Sequence, residues 1–189
     1  MRAFLIILPA VVDFVKRRAL LWLVLIVAAA AGAARAVDLA WRRLESSETG
    51  RAQWIWWSDD VKTPHPVRFT ALRSIAIEED VTDARIKVFV DRKYRVLLDG
   101  RVVGAGGMAP GDALDVWDVS GRFPRGIHTL AVEAESPTGI GGILFALDIS
   151  GHGLNAVVSD GSWTVDGRPA FVWGAPPMYP WGFPALPRR

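Results

Sequence analysis

Hydrophobic and polar positions alternate most cleanly between Ala84 and Gly104. Ile86, Val88 and Val90 fall on one side of an extended chain and Arg85, Lys87 and Asp91 on the other, the two-residue period of a half-buried antiparallel strand. Arg95 to Leu98 continues as a second strand, Asp99-Gly100 supplies the positive-φ residues of a tight hairpin turn, and Val102-Val103 opens the return strand. The same pattern predicts an aromatic strand at Gln53 to Trp57 and further strands at Val67 to Ile77, Ala113 to Val119, Gly126 to Glu133, Gly142 to Ile149, Ala156 to Val158 and Ser162 to Val165. Pro64 to Pro66 and Glu78 to Asp80 read as turns, and Gly104 to Gly111 as a glycine-rich loop. Short strands with turn signals every ten residues or so, uninterrupted by a helical pattern, describe a mainly β fold: an antiparallel jelly-roll β-sandwich over residues 51–167.

Ahead of the strands the pattern changes. Ala19 to Ala34 is an uncharged run of sixteen residues between Lys16-Arg17-Arg18 and Arg35. At 1.5 Å per residue it rises about 24 Å, slightly short of a hydrocarbon core of about 30 Å, and snorkelling arginines can cover the difference. The expectation is a transmembrane helix over 19–35, anchored by Leu20, Leu21, Trp22, Leu23, Val24, Leu25, Ile26 and Val27, with Trp41 at the interface. Residues 1–18, broken by Pro9 and Asp13, form an interfacial or cytoplasmic segment, and 36–50 a juxtamembrane helix and linker that Gly50 ends. A cleaved secretory signal is the rival reading, because Ala34-Arg35-Ala36 offers a small-residue cleavage site. Arg35, Arg42 and Arg43 after the span balance the count of basic residues, and only the tightness of the cluster before it leans towards a cytoplasmic N-terminus and a β-domain outside the cytoplasm.

Composition sharpens this picture in three ways. A hydrophobic share of 51% is high for a purely soluble domain of 189 residues and fits a membrane segment. The net charge of +2 is too small for a nucleic-acid footprint, and the absence of cysteine excludes disulfides and thiol chemistry. Nine tryptophans are an unusual load.

No catalytic constellation emerges. Asp59, Asp60, Glu78, Glu79, Asp80, Asp115, Asp118, Glu133 and Glu135 are explained by turns and exposed strand faces rather than as a glycosidic carboxylate pair. His65, His128 and His152 have no metal-ligand spacing. Gly104-Ala105-Gly106-Gly107 lacks the lysine and helix of a phosphate loop, and Ser159-Asp160 lacks a nucleophile elbow. The expectation is a protein without catalysis, metal or cofactor.

Residues 168–189 are dense in proline, which excludes helix and central strand and leaves an extended tail. Phe171, Trp173, Tyr179, Trp181 and Phe183 are too many aromatics for a solvated linker. Either the tail packs back on the sandwich or it lies along another protein. Together with Trp54, Trp56 and Trp57 these five residues are the candidate protein interface, because tryptophan is enriched there.

The order of elements resembles the galactose-binding-like β-sandwich found as the non-catalytic sugar-binding domain of bacterial α-L-rhamnosidases. The resemblance rests on Ala52-Gln53-Trp54-Ile55-Trp56, Phe69, Ala84 to Asp91 leading into Tyr94 to Gly100, Asp115 to Val119, Gly126 to Val132 and Ser159-Asp160-Gly161-Ser162-Trp163. Asp99 stands where such domains commonly carry asparagine, and the catalytic barrel that follows in those enzymes has no counterpart in this sequence. Two functions follow. In the first, the chain is a non-catalytic, membrane-anchored accessory subunit whose sandwich and aromatic tail bind other subunits of a complex, with the bilayer as a partner, in a bacterial inner membrane with the β-domain on the periplasmic side. In the alternative, it is a membrane-tethered carbohydrate-binding module using the loops Ala105 to Gly111 and Pro137 to Gly142, with glycan as its partner.

Overall fold

The computed structural model describes residues 22–37, 48–60, 62–150, 153–182, 184 and 186–187. The chain divides into two compact units, Met1–Glu45 and Ser46–Arg189. In the first, residues 22–37 form a helix whose sixteen residues are all exposed. It rises about 24 Å, and among the described residues no helix is long and apolar enough to cross a membrane. The span expected over 19–35 is therefore not supported. Trp22, Leu23, Val24, Leu25, Ile26 and Val27 lie on this helix, whereas Leu20, Leu21, Trp41, the segment 1–18 and most of 36–50 fall outside the described residues.

In the second unit the regular elements of the described residues are strands. In chain order these are β1 (Trp54–Trp56), β2 (Val67–Ile77), β3 (Ala84–Val90), β4 (Arg92–Leu98), β5 (Arg101–Met108), β6 (Asp115–Asp118), β7 (Gly126–Ser136), β8 (Ile143–Ile149), β9 (Gly153–Val158), β10 (Thr164–Val165), β11 (Arg168–Pro169) and β12 (Phe171–Gly174). They form two antiparallel sheets. One has the order β12-β1-β8-β3-β6 with β9 also pairing β8, and the other β11-β10-β2-β7-β4-β5. Between them lie the alternate apolar residues of each strand, among them Ile86, Val88, Val96, Leu130 and Val132. Aromatic edges lock the layers: Trp56 meets Phe69 with ring centroids 4.8 Å apart, and Phe145 meets Trp163 at 5.0 Å.

Two elements differ from the sequence expectation. Residues 104–108 are not loop but the second half of β5, an edge strand paired with β4 from Arg92↔Met108 to Leu98↔Arg101. The glycines are there because the strand lies flat on β6: a Cβ on Gly104 would fall 2.5 Å from the Trp117 ring, and one on Gly106 would fall 2.9 Å from Tyr94 Cε1. The expected polar face of β3 is also partly interior. Lys87 is buried, with its ammonium 3.1 Å from Asp148 Oδ1 and 3.0 Å from Asn155 Oδ1, because β9 brings Asn155 over it. Asp91 is buried as well.

The tail folds back on the sandwich. β12 extends the first sheet beyond β1, an edge position that tolerates the prolines after it. Peptide bonds Pro176-Pro177 and Tyr179-Pro180 are cis. Trp181 then lies against Trp54 with centroids 4.7 Å apart and donates from Nε1 to Asp91 Oδ2 at 2.9 Å.

Candidate functional site

The order β2-β7-β4-β5 sets the outward residues of four strands in rows. Arg68 is opposite Glu135, Glu135 opposite Lys93, and Lys93 opposite Gly107. The next row is Thr70, Glu133, Arg95 and Ala105. Strand periodicity puts these side chains on the open face, while their neighbours Phe69, Ala71, Tyr94, Val96, Val132 and Ala134 are buried. The short, glycine-bearing edge of β5 adds little bulk, so the face is concave. A cleft of about 420 Å³ is lined by Arg68, Lys93, Tyr94, Arg95, Ala105, Gly106, Glu133, Ala134 and Glu135. A second, of about 330 Å³, shares Lys93 and Glu135 and is completed by Arg92, Gly107, Met108 and Pro137.

The chemistry of this groove is a lattice of ionised donors and acceptors. Arg68 donates from Nη2 to Glu135 Oε2 at 2.7 Å. Arg95 donates from Nε to Glu133 Oε2 at 2.6 Å, and its Nη2 lies 2.5 Å from the same oxygen. The Arg68 hydrogen bond and charge, aided by Lys93, hold Glu135 below the usual carboxylate range. Exposed pairs of this kind contribute little to stability. What they do is fix orientation. Each glutamate spends one oxygen on its arginine, and among the described residues the Oε1 atoms accept nothing. The Lys93 ammonium likewise has no hydrogen-bond or ion-pair partner among the described residues. Each glutamate thus keeps one carboxylate oxygen available to accept a hydrogen bond.

Behind the β5 lip stands a support. Trp117 Nε1 donates to Tyr94 Oη at 3.3 Å, and the phenol donates in turn to Asp115 Oδ2. Burial, and then the Asp115 hydrogen bond, raise the Tyr94 pKa far above the working range, so it remains a neutral donor. At the other lip, Arg92 has φ of 87°, a left-handed conformation that a long side chain adopts at a cost of about 1–3 kcal/mol. It lies where the chain crosses from β3 in one sheet to β4 in the other. Its Nε is 3.5 Å from Asp91 Oδ1, an ion pair without a hydrogen bond.

The tryptophans serve the neighbouring loop. Trp56 and Trp57 both donate from Nε1 to the Gly139 carbonyl, at 2.8 and 3.1 Å, and Trp173 donates to the Gly141 carbonyl at 3.2 Å. Ser136 Oγ donates to the carbonyl between them, that of Ile140, at 2.8 Å. Three successive carbonyls of this turn are thereby satisfied. Trp54 and Trp56 are fully buried and Trp181 nearly so, whereas Trp57, Phe171 and Trp173 are partly exposed. Tyr179 is 95% exposed, and Phe183 falls outside the described residues.

The far end of the same sheet holds a buried histidine lock. His128 Nδ1 is 2.7 Å from Asp99 Oδ2 and Nε2 is 2.6 Å from the Pro124 carbonyl oxygen. Asp99 Oδ1 accepts from the Thr129 amide at 2.8 Å. Burial opposes the charge on His128, but the hydrogen bonds to Asp99 and Pro124 and the Asp99 charge outweigh it and raise the pKa. Burial likewise opposes ionisation of Asp99, and the hydrogen bonds from His128 and Thr129 outweigh it and lower the pKa. The lock therefore contributes in full below the ordinary histidine value of about 6.5 and is lost as pH rises through the raised folded value. On the acid side Asp99's contribution, present above the ordinary carboxylate value of about 4, is lost as pH falls through its lowered one. Urea unfolding across the neutral range is expected to show stability falling with rising pH, and His128→Gln to abolish that slope; a slope that survives the substitution contradicts the lock.

Among the described residues no group of three or more histidine, cysteine or acidic side chains could hold a metal ion. The sequence reading takes Glu133 and Glu135 as strand-face residues and does not single out Arg68, Lys93 or Arg95; Gly106 lies within the loop Ala105 to Gly111 that it offers as a glycan-binding edge. The available signal was the shared parity of 93 and 95 on one strand and 133 and 135 on another; the missing fact was that β7 pairs with β4.

No protein-family model matches the sequence, and no curated protein does. Solved structures do share the fold. An α-L-rhamnosidase of Streptomyces avermitilis, complexed with L-rhamnose, aligns with a TM-score of 0.62 and 24% identity over 71% of this chain and 16% of its own. A lectin of Pleurotus ostreatus, in complex with GalNAc, aligns at 0.63 and 23% identity over 75% of this chain and 47% of its own. A family GH78 rhamnosidase of a Bacillus species, strain GL1, aligns at 0.61 and 19% identity over 72% of this chain and 20% of its own. The chain thus shares the antiparallel two-sheet sandwich fold of these proteins, and it spans under half the length of each of them.

Proposed function

We propose that this protein is a non-catalytic carbohydrate-binding module and that the groove over β2, β7, β4 and β5 is its glycan site. The observation that carries the reading is the groove's lattice of fixed guanidinium donors and half-used carboxylates, which suits neighbouring hydroxyls on a sugar ring: each hydroxyl donates to Glu133 or Glu135 and accepts from Arg68, Lys93 or Arg95. The glycine-bearing β5 edge lets a ring approach the backbone. The lectin with bound GalNAc and the rhamnosidase with bound L-rhamnose support the reading through fold alone, and those two sugars are the first probes to use. On a glycan array, the full-length protein is expected to bind a subset of neutral glycans, and Arg95→Ala with Glu133→Gln to reduce that binding about tenfold or more at unchanged melting temperature. Binding that survives both substitutions contradicts the site.

A second reading, an accessory subunit of an inner-membrane complex with its sandwich in the periplasm, draws on one observation. The helix over 22–37 exposes Trp22 at 65% and Ile26 at 63%, an apolar surface that lipid or a partner helix would cover. In that reading Tyr179 is the tail's open contact.

A further inference from the structure

The groove uses only one end of β4. At the other, the β4–β5 hairpin and the connection from β6 to β7 enclose a separate cleft of about 560 Å³, lined by Leu98, Asp99, Arg101, Val103, Gly121, Arg122, Pro124 and His128. The hairpin turn is made by Asp99 and Gly100 at φ of 50° and 76°, and the opposite wall turns at Gly121, φ 67°. These turns bring Arg101 and Arg122 to one cavity from elements far apart in sequence.

The charge inside the cleft is not balanced. Neither guanidinium has a hydrogen-bond or ion-pair partner among the described residues. The only carboxylate lining the cleft, Asp99, is already committed to His128 at 2.7 Å and to the Thr129 amide at 2.8 Å. Both ring nitrogens of His128 face oxygen atoms, the Asp99 carboxylate and the Pro124 carbonyl, an arrangement that favours the protonated ring. Asp118, outside the lining, accepts the Ser120 amide at 2.9 Å and acts on Arg122 through charge alone. One spent anion thus faces two guanidinium cations with every side-chain donor unused, while Leu98, Val103 and Pro124 form an apolar wall.

We propose that this cleft binds the phosphate or sulfate ester group of an anionic ligand, with Arg101 and Arg122 gripping the oxyanion from two sides. Paired guanidinium forks match the oxygens of such a group, and a ligand with an apolar or ring face fits the wall. The site is independent of the groove, and neutral sugars have no place in it.

The test is a two-dimensional NMR titration of the full-length protein in mild detergent with inorganic phosphate and with glucose 6-phosphate, beside a flotation assay on phosphatidylcholine vesicles doped with phosphatidic acid. Saturable shifts at the amides of Arg101, Gly121 and Arg122 are expected, with affinity reduced about tenfold or more in Arg101→Gln plus Arg122→Gln at an unchanged melting temperature. Loss of a response to the soluble esters alone identifies a free ester as the source; loss of vesicle flotation as well identifies a lipid headgroup. If no probe binds saturably, or the double variant binds as the parent does, the proposal is overturned.

Discussion

Trp181→Ala is expected to lower the free energy of unfolding by about 4 kcal/mol, a large share of the 5–15 kcal/mol typical of a domain. Two losses add. The ring, almost wholly buried against Trp54, leaves a cavity where the tail closes over the sandwich, and large-to-small changes of an aromatic cost about 3–5 kcal/mol. Its Nε1 also donates to Asp91 Oδ2, and Asp91 is buried with its other oxygen already lacking a hydrogen bond. A buried carboxylate left with the Arg92 ion pair but no hydrogen bond from a side chain is costly. Trp181→Phe separates the terms: it keeps most of the packing and loses the donor, so about 1–2 kcal/mol is expected. Urea unfolding followed by tryptophan fluorescence measures both. A cost below about 1 kcal/mol for the alanine variant would show that the tail is not seated on the sandwich.

Gly104→Ala is the second large effect, at about 3 kcal/mol. The added Cβ would lie 2.5 Å from two atoms of the Trp117 ring, which is tied by its hydrogen bond to Tyr94 and cannot turn aside cheaply. The strand must lift off β6, and with it goes the lip of the groove. Thermal melting should therefore fall, and binding in the groove should weaken beyond what the melting shift explains. By contrast Gly100→Ala, in open space beyond the hairpin, should cost only the strain of a positive φ, about 1 kcal/mol. Equal effects at the two glycines would contradict the close approach at Gly104.

How much of this was legible in the sequence depends on the range of the interaction. Local signals carried well: Val67 to Ile77 has the bounds of β2, and Asp99-Gly100 makes the hairpin turn with both residues at positive φ. Signals that needed a partner from elsewhere did not carry. Gly104 to Met108 has no side-chain period because its pattern is the negative of Trp117 and Tyr94, which are contributed by another strand in each sheet. Lys87 reads as solvent-facing until β9 folds Asn155 over it. The tryptophans were visible as an excess, but the pinning of the Gly139 and Gly141 carbonyls depends on Trp56, Trp57 and Trp173 converging from two strands and the turn after one of them. The groove lay beyond reach for the same reason. Arg68, Lys93, Arg95, Glu133 and Glu135 come from three strands, and only the sheet order sets them in rows.

The claim at the centre of this account is that neutral sugar binds across those rows. The direct measurement is backbone amide shift mapping of the full-length protein titrated with the neutral glycan that binds best. Saturable shifts clustered at Lys93, Arg95, Gly106, Glu133 and Glu135, and absent in Arg95→Ala, are the predicted result. Shifts confined to other surfaces, or none at saturating glycan, would contradict it.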